Sequence, residues 1–106
     1  MVSYNHVILT GKVARPPLRH YRPDGSPVIQ FPLDLNSADN PSEDEKPCRI
    51  DIVAMGTLTE SEPALFRCGQ PLLVEGRLQQ RRWRTPEGRD LSRIEVIATH
   101  FRKVES

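Results

Sequence analysis

From Val28 to Asn36 the side chains alternate without a slip: Ile29, Phe31, Leu33 and Leu35 fall between Val28, Gln30, Pro32, Asp34 and Asn36. A repeat of two is the period of an extended strand with one face in a core and the other outside. The same period recurs four times. Asn5 to Val13 sets Val7, Leu9 and Val13 against His6, Ile8, Thr10 and Lys12, and Cys48 to Met55 sets Ile50, Ile52 and Ala54 against Arg49, Asp51, Val53 and Met55. Pro71 to Trp83 sets Leu72, Val74, Gly76 and Leu78 against Leu73, Glu75, Arg77, Gln79, Arg81 and Trp83; Leu91 to Arg102 carries Ile94, Val96 and Ala98 on the expected inner side. Five strands are therefore expected.

The segments between them carry the matching punctuation. Gly11 permits a bend or bulge in the first strand, and Pro16 and Pro17 end it. Arg22-Pro23-Asp24-Gly25 is turn chemistry, because proline presets φ and glycine reaches positive φ, so a hairpin is expected there. Pro32 has no N–H to donate, which places it at an edge, at a bulge or towards solvent. Thr57 to Gly69 leaves the period of two and reads as a short helix: Thr59 or Ser61 caps it, Pro63 suits its first turn, Gly69 stops it, and Leu65 and Phe66 pack it onto the sheet. Arg84 to Arg89 reads as a second hairpin turn. Residues 37–47, SADNPSEDEKP, are too charged and too proline-bounded to pack, and a mobile acidic loop is expected. Five strands with one short helix between the third and fourth follow the element order of an all-β, five-stranded OB-fold Greek-key barrel. Periodicity alone does not separate that fold from other small barrels.

At 106 residues the chain has room for one core, so residues 1–106 are expected to form a single domain. With 37% hydrophobic and 6% aromatic residues, that core rests on Val, Ile and Leu. The net charge of +1 hides an uneven distribution, since six arginines fall between Arg77 and Arg93, a density that suits a polyanion if they share a face. Cys48 and Cys68 have no C-x-x-C spacing, and His6, His20 and His100 share no ligand spacing. Neither a zinc site nor a disulfide is indicated, two reduced, partly buried thiols are expected, and no cofactor is implied. No nucleophile–base constellation, carboxylate pair or phosphate-cradling glycine loop points to catalysis, so no enzyme is expected. The amino-terminal MVSYNHVILTGK is not a leader and no apolar run spans a membrane, so a cytoplasmic protein without a membrane partner is expected.

Several blocks resemble the bacterial single-stranded DNA-binding protein family, in order and spacing. They are Asn5-His-Val-Ile-Leu-Thr-Gly-Lys-Val13, Pro17 to Gly25, Asp51-Ile-Val-Ala-Met-Gly56, Val74-Glu-Gly-Arg-Leu78, Arg81-Arg-Trp-Arg-Thr-Pro-Glu-Gly88 and Glu95-Val96. Together they span roughly residues 5 to 100. The resemblance implies an OB barrel that binds single-stranded DNA in replication, recombination or repair, stacks bases on aromatics, and self-assembles as a dimer or tetramer. It also implies a nucleoid-associated place in the cell. Trp83 falls where the family has a stacking aromatic and Arg81 and Arg82 on its basic neighbours, whereas Arg49, Met55 and Asp39 occupy positions that are aromatic in many members. The family's glycine-rich linker and acidic tip have no counterpart, so recruitment through such a tip is not expected. In this the chain is also similar to primosomal replication protein N, a dimeric relative, which implies replication-restart proteins as partners.

The expected DNA-binding set is Arg15, Tyr21, Arg22, Arg49, Met55, Arg77, Arg81, Arg82, Trp83 and Arg84. Single-strand binding needs a positive groove for phosphates and flat surfaces for bases. Arginine serves both, because its guanidinium plane stacks while its charge pairs. Each residue also has a plainer reading. Trp83 covers a hairpin, the arginines form a solvated strand face, and Tyr21 packs under its turn. An OB-fold protein-interaction module that binds no DNA is the competing class.

Overall fold

The computed structural model describes residues 3–35 and 48–104. The acidic loop expected over 37–47, with Asp39, lies outside the described residues. Six strands are present: β1 Val7–Val13, β2 Leu18–Tyr21, β3 Pro27–Leu35, β4 Cys48–Met55, β5 Pro71–Arg84 and β6 Asp90–Lys103. Five of them close a ring, with β1 pairing antiparallel to both β3 and β5, β5 to β6, β4 to β3, and β4 running parallel to β6. That is the expected five-stranded OB barrel. The additional short strand, β2, is the first arm of the hairpin expected before β3 and pairs with β3 alone.

The hairpin turn follows from its residues. Arg22 N–H donates to Ser26 O at 2.9 Å, Gly25 N–H donates to Arg22 O at 2.8 Å, and Gly25 takes φ +89°. Asp24 accepts from the Ser26 backbone N–H and hydroxyl at 2.9 and 2.7 Å, which holds its carboxyl below the usual range.

Pro32 marks a change of partner. One edge of β3 is covered by β2 through Leu18↔Gln30 and then by β1 from Val13↔Leu33, and Pro32 sits between, its carbonyl accepting Ala14 N–H at 3.0 Å. N–H and C=O of one strand residue point to the same side. The missing N–H is thus on the side where no strand continues.

The alternation places Ile29, Phe31, Leu33, Ile52, Ala54, Leu72, Val74, Val96 and Ala98 in one buried core, closed by Val13 and Phe66. Gly76 keeps the β5–β6 register tight at a bulge, where a Cβ would run into the Ile97 carbonyl oxygen. Leu78 and Ile94 have the expected inward phase yet are 42% and 50% exposed. The long β5–β6 ribbon has run past the end of the barrel there, so the inner face has nothing opposite it.

Two more expectations are corrected. The helix between β4 and β5 is two separate 3₁₀ turns, Gly56–Glu60 and Pro63–Phe66. Thr59 and Ser61 do not cap N–H groups; their hydroxyls donate to Gly56 O and Leu58 O, each at 2.7 Å, tightening the first turn. Pro63 does occupy the first turn of the second segment, and Phe66 is buried under it. Cys48 and Cys68 are free thiols, and both are exposed rather than partly buried. Among the described residues no helix is long and apolar enough to cross a membrane.

Candidate nucleic-acid interface

The side chains that alternate away from the core build a second surface. Register sets His20 beside Val28, Val28 beside Met55, Gln30 beside Val53, Val53 beside Ile97 and Ile97 beside Arg77. Glu95 lies between Asp51 and Gln79, and Arg93 lies beside Arg81. One continuous face therefore crosses β2, β3, β4, β6 and β5. At its centre Val28, Val53 and Ile97 form a small buried apolar cluster with Met55 packed against it. A cavity of about 330 Å³ opens over this floor, and Arg22, Arg77, Arg81, Gln79 and Glu95 are in its walls. Val28, Val53 and Ile97 are buried although they are outside the barrel core.

The charges on this face are partly paired. Arg49 donates to both carboxylate oxygens of Asp34, at 2.7 and 3.4 Å, and the carboxylate beside it raises its already high pKa. Arg93 donates to Asp51 at 2.8 Å, and Arg81 Nε stands 3.8 Å from Glu95 Oε1. Exposed pairs like the first two are screened by solvent, so they orient the guanidiniums more than they stabilise the fold. Among the described residues Arg22 and Arg77 form no ion pair with a carboxylate. Arg22 rests its guanidinium on the Met55 thioether, and Arg77 reaches Gln79 at 3.5 Å. Along β5, Arg81 lies with its guanidinium carbon 5.1 Å from the centre of the Trp83 ring, and Trp83 is 38% exposed. A cation over an indole pre-orients both groups without burying either.

Of the expected site residues, Arg22, Met55, Arg77 and Arg81 meet around the one cavity, and Trp83 continues their row. Arg49 lies on the same face, on β4. Arg15 borders a neighbouring cavity of about 470 Å³ that shares Gln30 with the first and includes Asp51 and Arg93. Arg82 and Arg84 are not brought to this face. They alternate to the other side of β5, where Arg82 donates to Gln80 at 2.9 Å and Arg84 to Asp90 at 2.9 Å. Tyr21 is also set apart, since it alternates with His20 on β2, and at 64% exposure it does not pack under its turn. Sequence reading missed Glu95, Gln79, Gln30 and Arg93 as parts of the site. The available signal was three outward apolar residues, Val28, Val53 and Ile97, on three different strands.

Comparison with known proteins adds three findings. The model of the single-strand binding protein family matches residues 4–104. A single-stranded DNA-binding protein of Aquifex aeolicus is 33% identical over 103 residues, covering 94% of this chain and 69% of that protein. One from Thermotoga maritima is 31% identical over 105 residues, covering 96% and 74%. A solved structure described as the Plasmodium falciparum SSB complex with ssDNA superposes with a TM-score of 0.80 over 99% of this chain and 98% of that one. At 21% identity that likeness speaks for the fold.

Proposed function

The chain belongs to the single-strand binding protein family, and from that premise we propose that it binds single-stranded DNA along the face described above, with little regard to sequence. It is not an enzyme; its work is binding. The observation that carries the reading is the apolar floor of Val28, Val53 and Ile97 inside a rim of arginines from opposite sides of the face. Bases are apolar on their faces and phosphates are anionic, so a strand laid across this surface matches it in both respects. Arg22, Arg77 and Arg81 take phosphates, Met55 and the valines take a base face, and Trp83 stacks a further base. Arg49 and Arg15 extend the positive track, and Tyr21, Arg82 and Arg84 contribute only where the strand passes round the hairpins. We place the protein in the cytoplasm, on DNA opened during replication, recombination or repair, and read residues 1–106 as one OB domain.

Trp83 is the only tryptophan, which makes the test direct. Titration with an oligothymidine is expected to quench its fluorescence, and binding weakens with salt at a logarithmic slope of about −0.7 per phosphate contacted. Duplex DNA of equal length is the control. Binding without quenching would retire Trp83 as a platform; binding to neither nucleic acid would sink the reading and leave the protein-interaction alternative.

Self-association belongs to the same proposal. Among the described residues β3 covers only Gly11 to Val13 of β1 and leaves one edge of the earlier half of β1 unpaired, with Ile8 58% and Tyr4 87% exposed beside it. An open strand edge pairs readily with a second copy. Sedimentation is expected to give a dimer or a tetramer at micromolar concentration, and a monomer would remove the assembly. A dimer favours a role beside replication-restart proteins, and a tetramer favours general protection of single strands.

A further inference from the structure

Glu95 is the one side chain on this face that its own surroundings do not explain. It is 3% exposed, and its Oε2 is buried with no hydrogen-bond partner among the described residues. Its other oxygen faces Arg81 at 3.8 Å, too far for a hydrogen bond. A buried acceptor without a donor is costly, and neither neighbour across the ladder, Asp51 on β4 or Gln79 on β5, donates to it. Glu95 is one of the residues lining the cavity over the apolar floor, with Arg77, Gln79 and Arg81.

What could supply the missing donor is narrowed by the chemistry of the strand. Phosphates and deoxyribose ring oxygens only accept hydrogen bonds, so within a single strand of DNA the donors are on the bases. Thymine presents its single N–H between two carbonyl oxygens, both of which a carboxylate repels. Cytosine and adenine offer an amino group, and guanine sets N1–H and N2–H₂ side by side, pointing the same way. We propose that Glu95 makes this cavity a base-reading subsite, which takes one amino-bearing base, guanine above all, with its N–H donors on the carboxylate. The surface thus remains sequence-tolerant along most of its length and discriminates against thymine at one position. This rests on the single-strand reading above and adds a substrate preference to it.

The test compares an oligothymidine with the same oligonucleotide carrying one central guanine, and with one carrying inosine, which keeps N1–H and lacks the amino group. A single guanine reaches the subsite because the strand can slide into register. The unaltered protein is expected to bind the guanine oligonucleotide about tenfold more tightly than oligothymidine, with inosine between. In Glu95→Leu, which removes the carboxylate at similar volume, the ratio falls to about one. Equal affinity for all three in the unaltered protein overturns the subsite while leaving single-strand binding intact. A ratio that survives Glu95→Leu, together with a lowered melting temperature, makes Glu95 structural and likewise overturns it. Failure to bind any of the three strikes at the single-strand reading itself, and the subsite falls with it. A preference for oligouridine that Glu95→Leu abolishes would assign the carboxylate to a ribose 2′-hydroxyl instead of a base.

Discussion

Phe31→Ala is expected to lower the stability of the barrel by about 3–5 kcal/mol, the range for removing a buried aromatic. Phe31 is 1% exposed and stands at the meeting of three elements, its ring centre 5.3 Å from Phe66 and 5.9 Å from Phe101, with those two 5.2 Å apart. The triangle ties β3 to the second 3₁₀ turn and to the end of β6. With only 6% of its residues aromatic, the chain has few other large side chains to fill the space. Domains of this size are held by roughly 5–15 kcal/mol, so the loss would shift the thermal midpoint down by roughly 15–30 °C. Phe66→Ala is expected to cost less, because Phe66 borders an open cavity beside Pro16, Pro17 and Pro63 and its neighbours are free to move in. Urea unfolding of both variants measures this. A Phe31→Ala loss below about 1.5 kcal/mol at an unchanged slope would show that the ring is not the centre of the core.

That core was largely legible, because burial on one side of a strand leaves its mark on every second residue. Cys48 to Met55 was bounded to the residue, and the inward phase of all five ring strands was right. Three things were not legible, each for a physical reason. Leu78 and Ile94 have the inward phase, but phase does not reveal where a barrel ends and a ribbon projects beyond it. Thr57 to Gly69 carries helix signals, yet Pro63 divides it, and the hydroxyls of Thr59 and Ser61 bond back three residues to favour the tighter turn. Glu95 is the sharpest case. On periodicity alone it is an outward charge, and outward charges are normally solvated; its burial comes from the packing of other strands around it, which no local pattern contains. The binding face was legible in part for a related reason. The row Arg77, Arg81 and Trp83 follows from the period of two on β5, whereas Arg22 is brought opposite it only by barrel closure.

Arg22 and Arg77 together supply the largest effect expected on binding. Neither forms an ion pair with a carboxylate among the described residues, and they meet the same cavity from β5 and from the β2–β3 turn, so each presents an uncommitted charge to a phosphate. A phosphate contact on a single strand releases counterions with a salt exponent of about 0.7, which makes it worth about fivefold in affinity at 0.1 M salt relative to 1 M. Losing both contacts in Arg22→Gln with Arg77→Gln should weaken oligothymidine binding about 25-fold at 0.1 M salt and flatten the logarithmic salt slope by about 1.4. Reversal to glutamate adds repulsion across the groove and should bring the loss to on the order of 100-fold. Arg49 and Arg93 provide the internal contrast, because their guanidiniums are shared with Asp34 and Asp51. Arg49→Gln removes a charge already half spent on Asp34, and its slope should change by well under the 0.7 of a full contact. Anisotropy titrations at four or more salt concentrations separate these cases. If the paired arginines flatten the slope as much as Arg22 and Arg77 do, the strand displaces Asp34 and Asp51 on binding, and the positive track runs along β4 and β6 rather than across the Val28 floor.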